Sequence, residues 1–365
     1  MTLITIILVM YVLVVLAFTI GYYRIIEQKP IPSPSQRPIS VVICFRNEEA
    51  NVDALFSSLQ QQTYPHESFE VIAVNDHSTD STLAKLRSLQ QQLPNLTVID
   101  LPPEELGKKM ALTRGVNTAL SEYIATTDAD SVVPPQWLET INSGFANRAQ
   151  LVCGPVAYHA STFFERLAAV EFGSLVASSI GAAGLHMPIL CNGANLAYTK
   201  ELFLDANLDS DDTPSGDDVF LLHYAKSYKK KIDFFTGKDF LVLTAPDTSP
   251  RDFINRRKRW GSKTKFYSDT ATKLAALLVL LANILIVALL VASAINPPVF
   301  RTFVILFGVK TIAESGLVGI HFRVCNVRQW APYFWMCTII YPFYIVVTAL
   351  GCFRSNFIWK ERKYR

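Results

Sequence analysis

The 365-residue sequence predicts an α/β protein whose mainly parallel sheet lies between hydrophobic segments that enter a membrane. Three observations carry this. Residues 39–248 alternate short apolar runs with helix-spaced segments, the order expected of a parallel sheet with helices on both faces. Residues 2–23 and 274–294 hold no charge and are long enough to cross a hydrocarbon core about 30 Å thick. Half of the residues are hydrophobic, only 18% are charged and the mean hydropathy is +0.24, which excludes a disordered chain.

The first apolar run, TLITIILVMYVLVVLAFTIGYY, is followed rather than preceded by basic residues, Arg24 and Lys29. A cleaved signal peptide has the opposite order and a shorter core, so the run reads as a retained anchor. The positive-inside rule then puts residue 24 onward in the cytoplasm. Residues 29–38 (KPIPSPSQRP) form a stiff Pro/Ser linker. SVVICF (40–45), FEVIAVND (69–76), LTVIDL (96–101) and YIATTDAD (123–130) read as buried strands, with helices over 48–62, 81–92 and 108–121. Residues 162–180 are apolar but broken by Glu165, Arg166 and Glu171, which suits an interfacial or a buried core helix. Residues 299–320 and 332–352 are further candidate spans. Lys310 and Glu314 share a helix face in the first of these and are expected to form a structural ion pair; a lipid or substrate contact is the alternative. Four spans with an external N-terminus put the basic tail outside, against the rule: either residues 299–320 are not a full span, or Arg323 and Arg328 outvote the tail. The expected division is an anchor at 1–28, a linker at 29–37, a catalytic domain at 38–249, a basic interfacial segment at 250–273, membrane helices at 274–353 and a basic tail at 354–365.

The net charge of +3 hides a partition. Residues 37–249 carry 15 basic and 26 acidic groups, whereas residues 250–273 carry eight basic and two acidic ones. An acidic body argues against nucleic acid as a partner. A basic segment beside an apolar run suits anionic headgroups, so the bilayer is an expected partner. The six cysteines are scattered without a C-x-x-C and read as reduced thiols. No Walker A, H-E-x-x-H or G-x-S-x-G pattern occurs, which removes the usual signatures of P-loop, zincin and α/β-hydrolase chemistry.

Ligands of parallel sheets bind beyond the carboxyl ends of strands. Three polar clusters are expected there: Arg46-Asn47-Glu48, Asn75-Asp76-His77-Ser78 and Asp128-Ala129-Asp130. Asp128 and Asp130, two apart on a strand, would share a face and hold one hard cation, Mg²⁺ or Mn²⁺. Asp76 is placed to accept a hydrogen bond from a base or ribose. His77 has the simpler reading of a turn residue, and Ser78 and Asp80 that of helix caps. Asp217 and Asp218 precede the apolar run VFLL; capping is one reading, and a positioned general base toward an acceptor hydroxyl is the other. In RDFINRRKRW (251–260), Arg256, Arg259 and Trp260 share one helix face, suited to a diphosphate and a stacked acceptor or to a membrane interface. Gly193 in CNGAN (191–195) would let a sugar approach the backbone, although a tight turn explains it equally.

In this order, SVVICFRNEEANV, AVNDHSTDST, GKKMALTRGVNTAL, TTDAD, CNGANLAYTK, SGDDVFLL and RRKRW resemble a membrane-bound family 2 glycosyltransferase of GT-A fold, over roughly residues 38–262. The resemblance implies an inverting transfer from a nucleotide sugar, usually a UDP-sugar, with Mg²⁺ or Mn²⁺. It implies that Asp76 contacts the uracil and Lys108 lies by the nucleotide. It assigns Asp128 to the ribose or sugar, Asp130 to the metal and diphosphate, and Asp218 to the base. Arg256, Arg259 and Trp260 form the (Q/R)-x-x-R-W motif, and Gly193 and Asn195 line the acceptor side. Asn75 and Thr113 depart from the family's usual Asp and Asn. Arg256 in place of Gln is similar to ceramide glucosyltransferases, which favours one sugar added to a lipid or lipid-linked acceptor over a processive polysaccharide synthase. A silent nucleotide-sugar-binding scaffold is a further alternative; a transporter has only Lys310 and Glu314 in its favour. The expected location is an integral, multi-pass one with the catalytic domain cytoplasmic, in a bacterial inner membrane.

Overall fold

The computed structural model describes residues 2–30, 33, 35–207, 216–352, 357–359 and 362–364. The acidic loop 209–213 and most of the basic tail lie outside the described residues. The chain divides into two compact units: a helical one, Met1–Ile25, Ala160–Ile189 and Pro246–Arg365, and a sheet one, Ile26–His159 and Leu190–Ala245. The expected continuous domain at 38–249 is thus interrupted by residues 160–189, which belong to the helical unit.

The chain opens with α1 (Thr2–Glu27). The sheet unit then follows the predicted alternation: β1 (Ile39–Phe45), α2 (Val52–Gln60), β2 (Phe69–Asn75), α3 (Thr82–Gln90), β3 (Leu96–Asp100), α4 (Lys108–Thr118) and β4 (Tyr123–Thr126). Next come β5 (Ser131–Val132), α5 (Trp137–Ala146), β6 (Leu151–Cys153) and β7 (Val156–Tyr158). The chain enters the helical unit for α6 (Phe163–Gly184) and returns for β8 (Leu196–Thr199), α7 (Lys200–Ala206), α8 (Asp217–Ser227), β9 (Ile232–Phe234) and β10 (Val242–Thr244). It continues with α9 (Pro250–Ser262), α10 (Thr270–Ile295), α11 (Pro297–Val324) and α12 (Ala331–Cys352), followed by an antiparallel pair, β11 (Phe357–Trp359) and β12 (Arg362–Tyr364).

The main sheet has the order β3-β2-β1-β4-β8-β6-β9. All neighbours run parallel except β8, which is antiparallel to both β4 and β6. Val41, Val42 and Ile43 of β1 are buried in succession, as a central strand covered on both faces requires. The reversed strand matters for function. Thr126 pairs with Leu196, so the start of β8 meets the end of β4. The residues just before β8 therefore reach the same sheet edge as those just after β1, β2 and β4. A small second sheet, β5-β10-β7, adjoins the Asp128–Asp130 turn through the pairing of Ser131 with Thr244.

In the helical unit, α1, α6, α10, α11 and α12 are each long and apolar enough to cross a bilayer. The three charges that interrupt α6 are all engaged. Glu165 closes a capping box with Thr162. Arg166 donates to Tyr333 Oη at 2.7 Å. Glu171, buried, accepts from Arg257 of α9 and from Tyr344 Oη of α12 at 3.0 Å. Most of α6 is buried in this unit, as the core-helix reading expected. Helices α1 and α6 cross in backbone contact: a Cβ on Gly184 would lie 1.9 Å from Gly21 O. Lys310 is enclosed and pairs with Glu314 Oε1 at 2.7 Å, and Tyr11 of α1 donates to the same oxygen at 2.5 Å. Every partner in this network comes from the bundle, so the structural pair is the better account.

Candidate active site

Four chain segments converge at the carboxyl edge of the main sheet. Lys108 opens α4, and its Nζ lies 2.7 Å from Asp128 Oδ1, just beyond β4. A Cβ placed on Gly193 would lie 3.8 Å from both Lys108 Nζ and Asp218 Oδ2. Gly193 is brought there by the reversal of β8, and Thr126 Oγ1 donates to its carbonyl at 3.1 Å. Asp217 and Asp218 form the first turn of α8, where carboxylates are favoured by the helix dipole. The Asp218 carboxylate accepts from Gly193 N at 3.2 Å and from its neighbour Val219 N at 2.8 Å. Cys191 Sγ donates to Asp218 O at 3.2 Å. The first and second halves of the sheet unit thus meet at Lys108, Asp128, Gly193 and Asp218.

Asp217 is buried and within electrostatic reach of Lys108. Burial opposes charge on Lys108, but Asp128 and then Asp217 outweigh it and hold the ammonium well above its ordinary range. The neighbouring Cys44 thiol is pushed up to about 12 by burial, against the pull of Lys108. Lys108 is therefore a fixed cation, and Cys44 a neutral thiol. The five cysteines whose side chains are described are all free, in line with the reduced reading.

Asp130 is held from the second sheet: Thr244 Oγ1 donates to its Oδ1 at 3.0 Å. The sequence argument for Asp128 and Asp130 relied on a strand's pleat, and the structure corrects it. β4 ends at Thr126, and residues 127–130 form a turn. The two carboxylates are aimed by Lys108 and Thr244 instead. The donor set still fits a hard cation. Two carboxylates lie two residues apart, and the buried hydroxyls of Thr127 and Ser131 on either side have no hydrogen-bond partner. Among the described residues no cluster of three or more His, Cys, Asp or Glu ligands occurs. A cation here would take its remaining oxygens from water and a diphosphate, the usual manner of Mg²⁺.

At the end of β2, Asp76 is buried, and its Oδ1 lies 3.0 Å from His77 Nδ1 and 3.3 Å from Gly107 N. Arg46 Nη1 donates to Asp76 O at 2.9 Å. The departure at Asn75 has a local reason. Its Nδ2 donates to Asp100 Oδ1 at 2.7 Å, where a second aspartate would place like charges together.

Asn195, expected on the acceptor side, is engaged by the fold. It is fully buried; its Nδ2 donates to Pro155 O at 2.9 Å and Phe240 O at 2.7 Å, and its Oδ1 accepts from Trp137 Nε1 at 2.9 Å. Its polar atoms are spent on the fold.

Arg256, Arg259 and Trp260 lie on α9 in the helical unit. Arg256 Nε pairs with the buried Asp247 Oδ1 at 2.8 Å. Burial raises the Asp247 carboxyl above its ordinary value, partly offset by Arg256. The residue between, Arg257, is the buried one; it pairs with Glu171 and lies 4.3 Å from the Trp260 ring centroid and 4.5 Å from that of Phe253. Sequence reasoning missed Arg257, Glu171 and Asp247. A lone acid inside an apolar run was the available signal for Glu171, since such a charge needs a partner.

The glycosyl transferase family group 2 model matches residues 123–353, and the glycosyl transferase family 2 model matches residues 40–187. The chain belongs to the family 2 glycosyltransferases. An uncharacterized glycosyltransferase of Haemophilus influenzae is 35% identical over 103 residues, 28% of this chain and 31% of that one. A poly(ribitol-phosphate) beta-glucosyltransferase of Bacillus spizizenii is 31% identical over 117 residues, 32% of this chain and 18% of that one. A beta-monoglucosyldiacylglycerol synthase of Synechocystis sp. is 31% identical over 122 residues, 33% of this chain and 25% of that one. The matched stretches thus span less than a third of each of these relatives. A mannosyltransferase from Pyrobaculum calidifontis, solved with GDP-Man and Mn²⁺, superposes with a TM-score of 0.55 at 19% identity, over 96% of this chain and 99% of that one. That likeness establishes the GT-A fold.

Proposed function

We propose that this family 2 member transfers a sugar, with inversion, from a nucleotide sugar to a lipid or lipid-linked acceptor at the cytoplasmic face of a membrane. The observation that carries the reading is the convergence of Lys108, Asp128, Gly193 and Asp218 at the carboxyl edge of the sheet. The acceptor hydroxyl gives its proton to the Asp218 carboxylate and attacks the anomeric carbon. The bond from that carbon to the diphosphate breaks, and its electron pair leaves with the diphosphate. The Gly193 N–H fixes the direction of the base. Lys108 supplies a permanent positive charge beside Asp128. Asp128 and Asp130 would hold Mg²⁺ or Mn²⁺, which neutralises phosphate oxygens when bound. Asp76 would receive the base. Arg256, Arg259 and Trp260 enter this reading through their sequence motif alone, as groups for the leaving diphosphate and the acceptor.

The long apolar helices and the relative named for a glucosyldiacylglycerol support a lipid acceptor. Arg24, Lys29, Arg323 and Arg328 support a cytoplasmic sheet unit, and a bacterial inner membrane is the proposed location. UDP is the proposed nucleotide from the motif resemblance; GDP-mannose belongs in the test because a protein of the same fold was solved with it. The test is nucleoside diphosphate release by membranes carrying the protein, with a panel of UDP-sugars and GDP-mannose, Mn²⁺, and extracted lipids present or absent. Lipid-dependent release is expected, and Asp218→Asn should slow it by about 10²–10⁴-fold while nucleotide binding persists. Normal turnover by that variant removes the base assignment. Absence of release with every donor removes the enzymatic reading.

A further inference from the structure

His77 is an unfavourable residue for its position, on two counts. Its φ is 56°, in the left-handed region that most side chains avoid, that histidine, asparagine and aspartate enter more often than others, and that glycine enters freely. Its Nε2 is buried without a hydrogen-bond partner. A glycine here would satisfy the turn and leave no orphaned nitrogen. The loop itself does not depend on the imidazole. Ser78 Oγ accepts from Asn47 N at 3.0 Å, Ser78 N donates to Asn75 Oδ1 at 3.3 Å, and Thr79 N donates to Asn47 Oδ1 at 2.8 Å. The one bond the ring contributes is from Nδ1 to Asp76 Oδ1, at 3.0 Å. A residue that is both strained and incompletely bonded persists where the surroundings or the function require it.

We propose that His77 is a positioning residue for the Asp76 carboxylate, and that the ligand for which it prepares this carboxylate is the nucleoside of a nucleoside diphosphate. The inference rests on the nucleotide-sugar reading above. A carboxylate that must accept from a planar base has to present one oxygen in a fixed plane. The Nδ1–H of His77 and the N–H of Gly107 both engage Oδ1. Together they resist rotation about χ2, which is otherwise soft for aspartate. This orientation lowers the ordering required on binding. It also sharpens the choice among bases, because a misdirected carboxylate meets the donors of uracil and guanine less selectively.

The experiment uses the full chain in detergent micelles. Equilibrium binding of UDP and of GDP, each with Mg²⁺, is measured alongside thermal unfolding for wild type, His77→Gly and His77→Asn. Glycine relieves the strained turn, so His77→Gly should unfold no earlier than wild type. It should nevertheless bind the preferred nucleotide about tenfold more weakly, the loss of one hydrogen bond to a charged group, with the UDP-to-GDP preference reduced. Asparagine tolerates the left-handed region and keeps an N–H donor, so His77→Asn should recover part of the affinity. Wild-type affinity and preference in His77→Gly would overturn the positioning role while leaving the nucleotide-sugar reading intact. An earlier unfolding with unchanged affinity would also overturn it, as a purely structural role. Failure of wild type to bind either nucleotide would overturn both.

Discussion

Replacing Asn195 by Ala separates a fold role from an acceptor role. The side chain is fully buried and makes three hydrogen bonds, to Trp137 Nε1, Pro155 O and Phe240 O. Truncation leaves the indole N–H and the Phe240 carbonyl without partners inside the sheet unit, while Pro155 O keeps the N–H of Val242 at 3.1 Å. Each abandoned buried group costs about 1–3 kcal/mol, and the two share one cavity, so their costs do not add fully. A loss of about 2–4 kcal/mol is a large part of the 5–15 kcal/mol typical of a domain. For a unit of this size it lowers the melting temperature by roughly 4–16 °C. The assay is thermal unfolding of the full chain in detergent, followed by initial rates at low temperature against acceptor concentration. The expected result is a large drop in melting temperature with the acceptor KM of the folded fraction unchanged. Trp137→Phe, which removes the indole donor together with part of a fully buried ring, should also lower it. An unchanged melting temperature with a raised acceptor KM would refute the reasoning and return Asn195 to the acceptor surface.

Glu171→Gln leaves the Arg257 guanidinium buried beside a neutral amide. Breaking a buried pair from one side costs about 3–5 kcal/mol, so this variant should lose far more thermal stability in detergent than Tyr344→Phe, which deletes one neutral donor to the same carboxylate. Because the Lys108 pKa is raised in the folded protein, the stability it contributes is complete below the ordinary lysine pKa of about 10.4 and is lost only as pH climbs through the higher folded value. Lys108→Met should therefore reduce sugar transfer by a constant factor across neutral and mildly alkaline pH; a variant whose alkaline limb moved within that window would contradict the fixed-cation assignment.

The first half of the sheet was legible because each of its strands is a continuous apolar run ending in a polar cluster. β2, β3 and β4 and the helices between the strands fall within the predicted segments, and β1 begins one residue earlier than predicted. The second half was not, for a physical reason. β5, β6, β7, β9 and β10 are two or three residues long, too short for any periodicity to develop. The reversal of β8 is likewise invisible in composition, yet it brings Gly193 to Asp218. Residue types marked the carboxylates at 76, 128, 130, 217 and 218 as candidates. They could not show that Lys108 links Asp128 to Asp217, or that Asn195 is consumed by the fold. In RRKRW, the face containing positions 256, 259 and 260 was evident from helical spacing. The burial of Arg257 was not, because its partner Glu171 lies 86 residues away.

Length and apolarity alone give α6 the same standing as the other four long helices, but chain connectivity does not. The chain leaves the sheet unit after His159 and re-enters it at Leu190. β6, immediately before that excursion, pairs with β8, immediately after it, Leu151 with Tyr198 and Cys153 with Leu196. A crossing by α6 would put these two strands on opposite faces of a bilayer, which their hydrogen bonds forbid. The internal character of α6 agrees: its charges are a capping glutamate, an arginine bonded to Tyr333 and a glutamate paired with Arg257. Of the five long apolar helices, α1, α10, α11 and α12 remain as candidate spans. Arg24 and Lys29, the basic segment 250–273, and Arg323 and Arg328 flank these candidates, the places where the positive-inside rule weighs basic charge.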